Sequence, residues 1–329
     1  MNRRNRTAAT LAAGAAALGL AGCGLQPATG YVPAVAPAAI EPVEGAEDVS
    51  VTVGSKNFTE QLILGKIAVL ALRAAGFQVT DSTNIPGSVA AREGQLAEDT
   101  DMQWEYTGTA WVVYMGQQGI PDQQEQWQAV HDADLENGLT WLPPAPMNNT
   151  YGFAMGPDAA AALGITSLSE IKDLPVEQRT FCVESEFRSR DDGLEPMLEH
   201  YGIPLDSPDG VPSDNIRVMD TGAIYAATAN GACNFGEIFT TDGRILALDL
   251  TVLEDDEAYF PSYNVAPYLD TELVEQFPRI ADVFEQITPL LTDELLIELN
   301  ARVDVDGEEP ADVALDWMVS EGLVTRPEG

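Results

Sequence analysis

The chain has 329 residues, 45% of them apolar, and its 53 acidic and 16 basic side chains give a formal net charge of −37 at pH 7. A chain of this length and apolar content can form one large or two medium globular domains with well-formed cores. The negative field repels phosphate backbones and acidic lipid headgroups, so no nucleic acid is expected as a partner. We interpret the excess of acidic residues as a coat that maintains solubility.

The first 22 residues have the pattern of a bacterial export signal. Three arginines within the first six residues precede an apolar stretch over residues 7–20, and Leu20-Ala21-Gly22-Cys23 resembles a lipobox, whose cysteine is acylated. We therefore predict a lipoprotein signal peptide over residues 1–22 and a lipid on Cys23. This lipid would anchor the protein to the bacterial cell membrane on its extracytoplasmic side.

The segment from residue 24 to residue 48 is rich in Pro, Ala and Gly and has neither helical nor strand periodicity. Such a composition favours an extended chain. Residues 23–48 are therefore predicted to form a lipid-anchored tether that holds the folded part away from the membrane. No later stretch reaches the ~18 uninterrupted apolar residues that a membrane helix requires.

The folded part begins with a predicted strand, helix and strand. Residues 49–53 alternate in polarity, Asn57 and Glu60 have the spacing of a helix capping box, and apolar residues then recur at near-helical spacing up to Gly76. Residues 77–80 predict the next strand. Strands and helices continue to alternate, which is typical of an α/β chain with parallel sheets.

A second α/β unit begins near residue 150 and contains the strand-like segments RTFCVE, IRVMD and CNFGEIF. From residue 255 onward the pattern is mainly helical, and too little β structure remains for a separate sheet. We therefore predict that this part returns to the first unit. Two lobes joined by two crossovers result, with residues 49–149 and 255–329 in the first lobe, residues 150–254 in the second, and a cleft between them.

Two cysteines besides Cys23 occur, Cys182 and Cys233, and both lie in the predicted second lobe. In an oxidising compartment such a pair often forms a disulfide, although small buried free cysteines are also common. Both lie near the starts of predicted strands, and neighbouring strands can bring two Cα atoms within the ~4.4 to 6.8 Å that a disulfide requires. The sequence therefore permits a Cys182–Cys233 bridge or two buried thiols.

Motifs for catalysis or metal binding are scarce. His131 and His200 have no metal-ligand spacing and no glycine-rich phosphate-binding motif is present, so neither a metal nor a cofactor is expected. The segment VMDTGA at residues 218–223 resembles an aspartic-protease active-site motif, in which two carboxylates share a proton. A two-lobed protease of that kind needs a second copy of the motif, which this chain lacks. An aspartic-type hydrolase is the alternative from another functional class, and the missing second copy makes it the weaker one.

Six segments, taken in order, resemble one family of binding proteins. They are GSKNFTEQ (54–61), EYTGTA (105–110), NNTYGFAM (148–155), EFRSRDDGL (186–194), TTDGRI (240–245) and DDEAYFPSYNVAP (255–267). Each segment alone is a weak signal. Together, from residue 49 to the C-terminus, they resemble the substrate-binding proteins of bacterial ABC importers for quaternary ammonium osmoprotectants, meaning glycine betaine, choline and carnitine.

The resemblance implies a two-lobed, periplasmic-binding-protein-like clamp of type II, with two crossovers, a ligand cleft between the lobes and an aromatic cage for the cationic head. A trimethylammonium has no N–H to donate, so aromatic faces attract it, at roughly 0.5 to 2 kcal/mol per ring. The positions that match cage tyrosines are Tyr106, Tyr151 and Tyr225. Gln61 and Thr109 match polar residues that would hold a ligand carboxylate or hydroxyl.

One position departs from the family. Many members carry an additional tyrosine in the segment after TTDGRI, whereas this chain has Leu248 at the corresponding place. Leucine excludes water but offers no quadrupole to a cation, so betaine is expected to bind weakly by family standards.

The expected function is that of an extracytoplasmic receptor and not of an enzyme. It would bind a small quaternary ammonium ligand such as glycine betaine or choline and deliver it to an ABC permease and an ATPase, which are separate chains. Closure of the clamp would be a hinge motion. Another small ligand, such as an amino-acid derivative, is the alternative among binding proteins.

Overall fold

The structure is a computed structural model, and it describes residues 30–120 and 122–327. The predicted signal peptide and the predicted lipid site at Cys23 lie outside the described residues. The described strands are β1 (Ala36–Pro37), β2 (Ser50–Lys56), β3 (Gln78–Ile85), β4 (Met102–Tyr106), β5 (Leu139–Trp141), β6 (Tyr151–Met155), β7 (Phe181–Val183), β8 (Ile216–Val218), β9 (Phe235–Phe239), β10 (Thr251–Val252), β11 (Val265–Asp270) and β12 (Val324–Thr325).

The α-helices of the described part alternate with these strands and then dominate the C-terminal part. They are α1 (Thr59–Ala74), α2 (Ser88–Leu96), α3 (Gln123–Asp134), α4 (Pro157–Leu163), α5 (Ser185–Ser189), α6 (Leu194–His200), α7 (Thr221–Ala229), α8 (Arg244–Ala247), α9 (Thr271–Gln276), α10 (Arg279–Glu285), α11 (Asp293–Asp304) and α12 (Pro310–Ser320). Within residues 30–120 and 122–327, none of the helices combines the length and the apolar character needed to cross a bilayer.

Two five-stranded sheets organise the chain. The strand order is β3-β2-β4-β11-β5 in one and β10-β6-β9-β7-β8 in the other. We call the first sheet with its helices the first lobe, and the second sheet with its helices the second lobe. The chain passes to the second lobe before β6 and returns before β11. The predicted two-lobed α/β architecture is confirmed.

Both sheets are mixed, whereas the sequence predicted parallel sheets. β2 is parallel to β3 and β4, but β11 is antiparallel to β4, with Val265 opposite Tyr106. β6 is likewise antiparallel to β9, with Tyr151 opposite Phe239. Each crossover delivers the chain at the end of a sheet where β4 or β9 finishes, and no helix intervenes to carry it back. The incoming strand therefore runs in the opposite direction.

The segment predicted as a tether is partly packed against the first lobe. β1 pairs antiparallel with β12, so that Ala36 lies opposite Thr325. Ile40 and Ala46 are fully buried in the core of that lobe, and Val43 is nearly so. Because burial removes these apolar side chains from water, the chain from Ala36 onward belongs to the folded body. The predicted tether was therefore too long.

Each lobe has a hydrophobic core of its own. In the first lobe, α1 is buried along most of its length and carries much of the core. In the second lobe, aromatic and aliphatic residues of β6, β7 and α6 form a separate cluster. Cys182 in β7 and Cys233 ahead of β9 form a disulfide in this lobe, with their Cα atoms 5.7 Å apart.

Candidate functional site

A cavity of about 890 Å³ lies in the cleft between the two lobes. Its wall in the first lobe comes from the end of β2, the start of α2 and the end of β4. Its wall in the second lobe comes from the start of β6, the segment after β7 and the end of β9. Strand ends thus meet at the cavity from both sides, which is where α/β proteins commonly bind small ligands.

Aromatic side chains line this cavity and connect the lobes. Phe58 of the first lobe stacks on Phe239 of the second, with ring centroids 5.2 Å apart, and Tyr106 follows at 6.1 Å from Phe58. Tyr151 is 5.3 Å from Phe239 and meets Tyr263 edge to face at 5.7 Å. We call these five residues the aromatic wall, since their rings form one continuous series in which the Phe58–Phe239 pair crosses the cleft.

The glycine in EYTGTA allows the second crossover to pack closely on the end of β4. A Cβ atom at Gly108 would lie 2.6 Å from Cδ1 of Tyr263 and 2.7 Å from the carbonyl oxygen of Ser262. Both distances are too short for van der Waals contact, so any larger residue would displace Tyr263 from the wall. Thr109 follows at the start of a π-helical turn and lines the cavity.

A buried carboxylate on α1 holds the hydroxyl of Tyr106. Glu60 is 2% exposed, and its Oε1 accepts hydrogen bonds from the Tyr106 hydroxyl at 2.6 Å and from the Asn149 amide at 2.9 Å. Its Oε2 accepts from the Thr241 hydroxyl at 2.5 Å and from the Asn300 amide at 3.2 Å. Burial raises the pKa of Glu60 and also raises the pKa of Tyr106. One side chain thus joins α1, β4, the first crossover, the segment after β9 and α11.

Glu60 does not cap α1, contrary to the capping box predicted for Asn57 and Glu60. The helix begins at Thr59, and its N-cap residue Phe58 makes no side-chain capping bond. Asn57 Oδ1 instead accepts from the backbone N–H of Gly87 at 3.4 Å. The prediction was wrong because Glu60 points into the protein, where donors from distant segments bind its carboxylate.

Lys56 places its ammonium against the aromatic wall. Its Nζ lies 4.7 Å from the ring centroid of Tyr106 and 5.8 Å from that of Phe58. It also lies 2.6 Å from Oε1 of Glu105, a nearly fully buried carboxylate. An ammonium has three N–H donors, so the contact with Glu105 leaves donors for another acceptor in the cavity.

Arg190 occupies a similar position beside Tyr151. Its guanidinium carbon is 5.1 Å from the Tyr151 ring centroid. Nε and Nη2 bind the two carboxylate oxygens of Asp192 at 2.6 and 2.7 Å, which holds the guanidinium plane in place. Since a guanidinium has five N–H donors, it retains some for a carboxylate ligand. Lys56 and Arg190 also cover ring faces that a bound cation would otherwise use.

The wall of the second lobe carries four carboxylates, those of Glu184, Glu186, Asp220 and Glu237. Oε2 of Glu186 accepts from the backbone N–H of Ser88 at 3.2 Å, which links the second lobe to the start of α2 in the first. Glu237 is only 3% exposed, and burial raises the pKa of its carboxyl to about 8. The cavity therefore combines aromatic faces with groups of both charges.

Three of the predicted ligand contacts line the cavity, namely Tyr106, Thr109 and Tyr151. Gln61 is fully buried in α1, and its Oε1 accepts from the backbone N–H of Lys56 at 3.3 Å. The structure therefore places Gln61 behind Lys56 and not on the cavity wall, because the inward face of α1 carries it into the core.

Tyr225 and Leu248 lie behind the cavity in a separate cluster of the second lobe. Tyr225 is 1% exposed, its hydroxyl accepts from the backbone N–H of Phe239 at 2.9 Å, and the Arg244 guanidinium carbon is 4.3 Å from its ring centroid. Leu248 follows α8 and packs against this cluster. The geometry corrects both assignments, since Tyr225 supports the end of β9 and Leu248 does not occupy the place of a cage ring.

Sequence reasoning missed several residues of the cavity wall, namely Lys56, Phe58, Arg190, Phe239 and Tyr263. Four of them lie inside segments that carried the family resemblance, and Phe239 directly precedes TTDGRI. These segments were therefore the available signal. The contact of Phe239 with Tyr151 follows from the antiparallel register of β6 and β9, which no local pattern specifies.

Comparisons with known proteins agree with this geometry. The family model for the substrate binding domain of ABC-type glycine betaine transport systems matches residues 49–320. The chain belongs to this family. A glycine-betaine-binding protein of Pseudomonas aeruginosa is 38% identical over 287 residues, which cover 85% of this chain and 90% of the relative. Members of the family are extracytoplasmic substrate-binding proteins of transport systems and not enzymes, so the hydrolase alternative gains no support.

Solved structures of this family share the fold. Apo YehZ from Escherichia coli is 27% identical with a TM-score of 0.62, over 83% of this chain and 99% of that one. Lactococcal OpuAC, in a closed-liganded conformation complexed with glycine betaine, has a TM-score of 0.59 over 83% of this chain and 96% of that one. At 14% identity, the likeness to OpuAC concerns the fold alone.

Proposed function

We propose that this protein captures a quaternary ammonium osmoprotectant of the glycine betaine type between its lobes and delivers it to a membrane permease and its ATPase, without acting as an enzyme. The observation that carries the proposal is the aromatic wall. A trimethylammonium head offers no N–H group, so a surface built of ring faces is the kind of surface that can attract it. Tyrosine and phenylalanine also exclude water from its methyl groups.

The charges of the cavity support a zwitterionic ligand. Lys56 and Arg190 keep N–H donors beside the aromatic wall, and such donors suit a carboxylate. Glu184 and Glu186 contribute negative potential in the second lobe, which favours the approach of a cation. The two kinds of charge match the two ends of a betaine.

Ligand capture would be coupled to closure of the clamp. Phe58 and Phe239 belong to different lobes and stack only when the lobes are close. A ligand that contacts ring faces from both lobes binds the closed state more tightly than the open state, and it therefore shifts the population toward closure.

The test is calorimetry of the purified protein with glycine betaine, choline and glycine, which lacks the methyl groups. Betaine should bind and glycine should bind far more weakly. Tyr151→Leu and Phe239→Leu should each weaken betaine binding about two- to thirtyfold, because each removes the contribution of one aromatic ring to the binding free energy. Tyr31→Leu is the matched control, because Tyr31 is 46% exposed and does not line the cavity. Glycine binding as tight as betaine would favour an amino-acid derivative as the ligand instead.

Anchoring by a lipid on Cys23 is a separate part of the proposal. It is supported by the charged start, the apolar stretch and the sequence Leu20-Ala21-Gly22-Cys23. A single acyl chain anchors only marginally, so stable attachment needs the two or more chains of a bacterial lipoprotein. Cys23→Ala should release the protein from the membrane fraction. Retention of this variant in the membrane fraction would contradict the anchor without affecting the ligand assignment.

A further inference from the structure

Glu237 differs from the other carboxylates of the cavity in burial and position. It lies in β9, next to β7, and the chain after β7 supplies Glu184 and Glu186. Glu237 is 3% exposed, whereas Glu184 and Glu186 are half-buried. Where like charges crowd one wall, the most buried group gains most from keeping its proton.

The hydrogen bonds leave one oxygen of Glu237 available. Its Oε2 accepts from the backbone N–H of Glu184 at 2.7 Å, and Oε1 has no partner among the described residues. The side-chain oxygens of Glu184 bind Ser185 and the backbone N–H of Glu186. Those of Glu186 bind Ser88 and approach Arg190. Asp220, the fourth carboxylate of this wall, is exposed to solvent. Within the described part of the chain, Glu237 is therefore the buried carboxyl of this wall with an uncommitted oxygen.

We propose that Glu237 distinguishes ligands that carry a carboxylate from ligands that carry only the cationic head, an inference that rests on the proposed function. While Glu237 is protonated, its Oε1 hydroxyl donates a hydrogen bond to the carboxylate of a zwitterion such as glycine betaine. After Glu237 has released that proton to solvent, it repels the ligand carboxylate and attracts a ligand with a net positive charge, such as choline.

Several other titratable groups face Glu237 or lie on the elements packed against it. They are Tyr151 on β6, Glu184 after β7, Glu186 and Arg190 in and after α5, and Asp220 and Tyr225 at α7. Burial is the largest influence and raises the pKa of Glu237 to about 8. The hydrogen bond from the Glu184 backbone N–H and the charge of Arg190 lower this pKa, whereas the negative charges of Glu184 and Glu186 raise it further. The carboxyl is thus mostly protonated at neutral pH and ionised at pH 9.

The experiment is calorimetry with glycine betaine and with choline at pH 7 and pH 9, and neither ligand titrates between these values. If betaine binds only to protein in which Glu237 is protonated, its affinity should fall about tenfold from pH 7 to pH 9, because the protonated fraction of Glu237 drops from ~0.9 to ~0.1. Choline should bind more tightly at pH 9 than at pH 7. Glu237→Gln keeps a donor at both pH values and cannot ionise, so both trends should disappear.

The control is Asp270→Asn. Burial raises the pKa of Asp270 to about 7, so this group also titrates near the range tested, but it bonds Gln95 and does not line the cavity. From pH 7 to pH 9, this variant should still lose affinity for betaine and gain affinity for choline, as the wild-type protein does. Near-ultraviolet circular dichroism of each variant verifies that it is folded.

The outcomes separate the inference from the proposed function. Parallel pH trends for betaine and choline, or opposite trends that persist in Glu237→Gln, would overturn the role of Glu237 while leaving a quaternary ammonium receptor in place. Absence of binding by both ligands at both pH values would overturn the proposed function itself.

Discussion

Replacement of Glu60 tests whether one carboxylate stabilises the contacts of α1 with β4, the first crossover, the segment after β9 and α11. Glu60→Leu keeps a side chain of similar size but removes every acceptor. The hydroxyls of Tyr106 and Thr241 and the Asn149 amide would lose the acceptor that binds them at 2.6, 2.5 and 2.9 Å. Asn300 is less affected, because its amide also donates to the Thr241 carbonyl oxygen at 2.9 Å.

The magnitude follows from the donors that remain buried without an acceptor. Each such donor costs about 1 to 3 kcal/mol, so the three donors that depend on Glu60 predict a loss of roughly 3 to 9 kcal/mol in the free energy of unfolding. Glu60→Gln retains one carbonyl oxygen that can accept hydrogen bonds, but its NH2 group would face donors where the carboxylate had its second oxygen. The free energy of unfolding should therefore fall by about half as much as in Glu60→Leu.

Urea denaturation followed by circular dichroism measures these losses. Glu93→Leu is the matched control, because Glu93 is exposed on α2, and there the same substitution should change the free energy of unfolding by no more than about 0.5 kcal/mol. If Glu60→Leu were no more destabilising than Glu93→Leu, the hydrogen bonds to Glu60 would not contribute as described.

Three further results are expected. Glu186→Gln should weaken the 3.2 Å hydrogen bond from the Ser88 backbone N–H, which links the two lobes across the cleft. The ligand-free variant should then have a larger radius of gyration in solution scattering, and an unchanged radius would exclude this hydrogen bond as a contributor to closure. Reduction of the Cys182–Cys233 disulfide, which closes a loop of 51 residues, should lower the free energy of unfolding measured by urea denaturation by about 4 kcal/mol. If the protein with two free thiols were equally stable, the predicted contribution of the disulfide would be wrong. Leu248→Tyr should change the betaine affinity measured by calorimetry by no more than about twofold, because Leu248 does not line the cavity. A clear gain in affinity would show that position 248 does contact the ligand.

Local patterns determined much of the organisation of this protein. The alternation of residues 49–53 and the spacing of apolar residues up to Gly76 predicted β2 and α1 correctly, since both patterns report on one element at a time. The segments EYTGTA and NNTYGFAM placed Tyr106 and Tyr151 at strand ends on the cavity. The family could be inferred from the sequence because its short motifs occur in a fixed order.

Only the tertiary structure decided which of these residues meet. Glu60 has the spacing of a helix cap, yet it is a buried acceptor, because Asn149 and Asn300 reach it from distant parts of the chain. Phe239 lies on the cavity while Tyr225 lies behind it, because the register of β6 with β9 turns one toward the cleft and the packing of α7 turns the other into the core. Periodicity specifies the face of an element. The partner of that face depends on contacts between residues far apart in sequence, and these form only when the lobes fold.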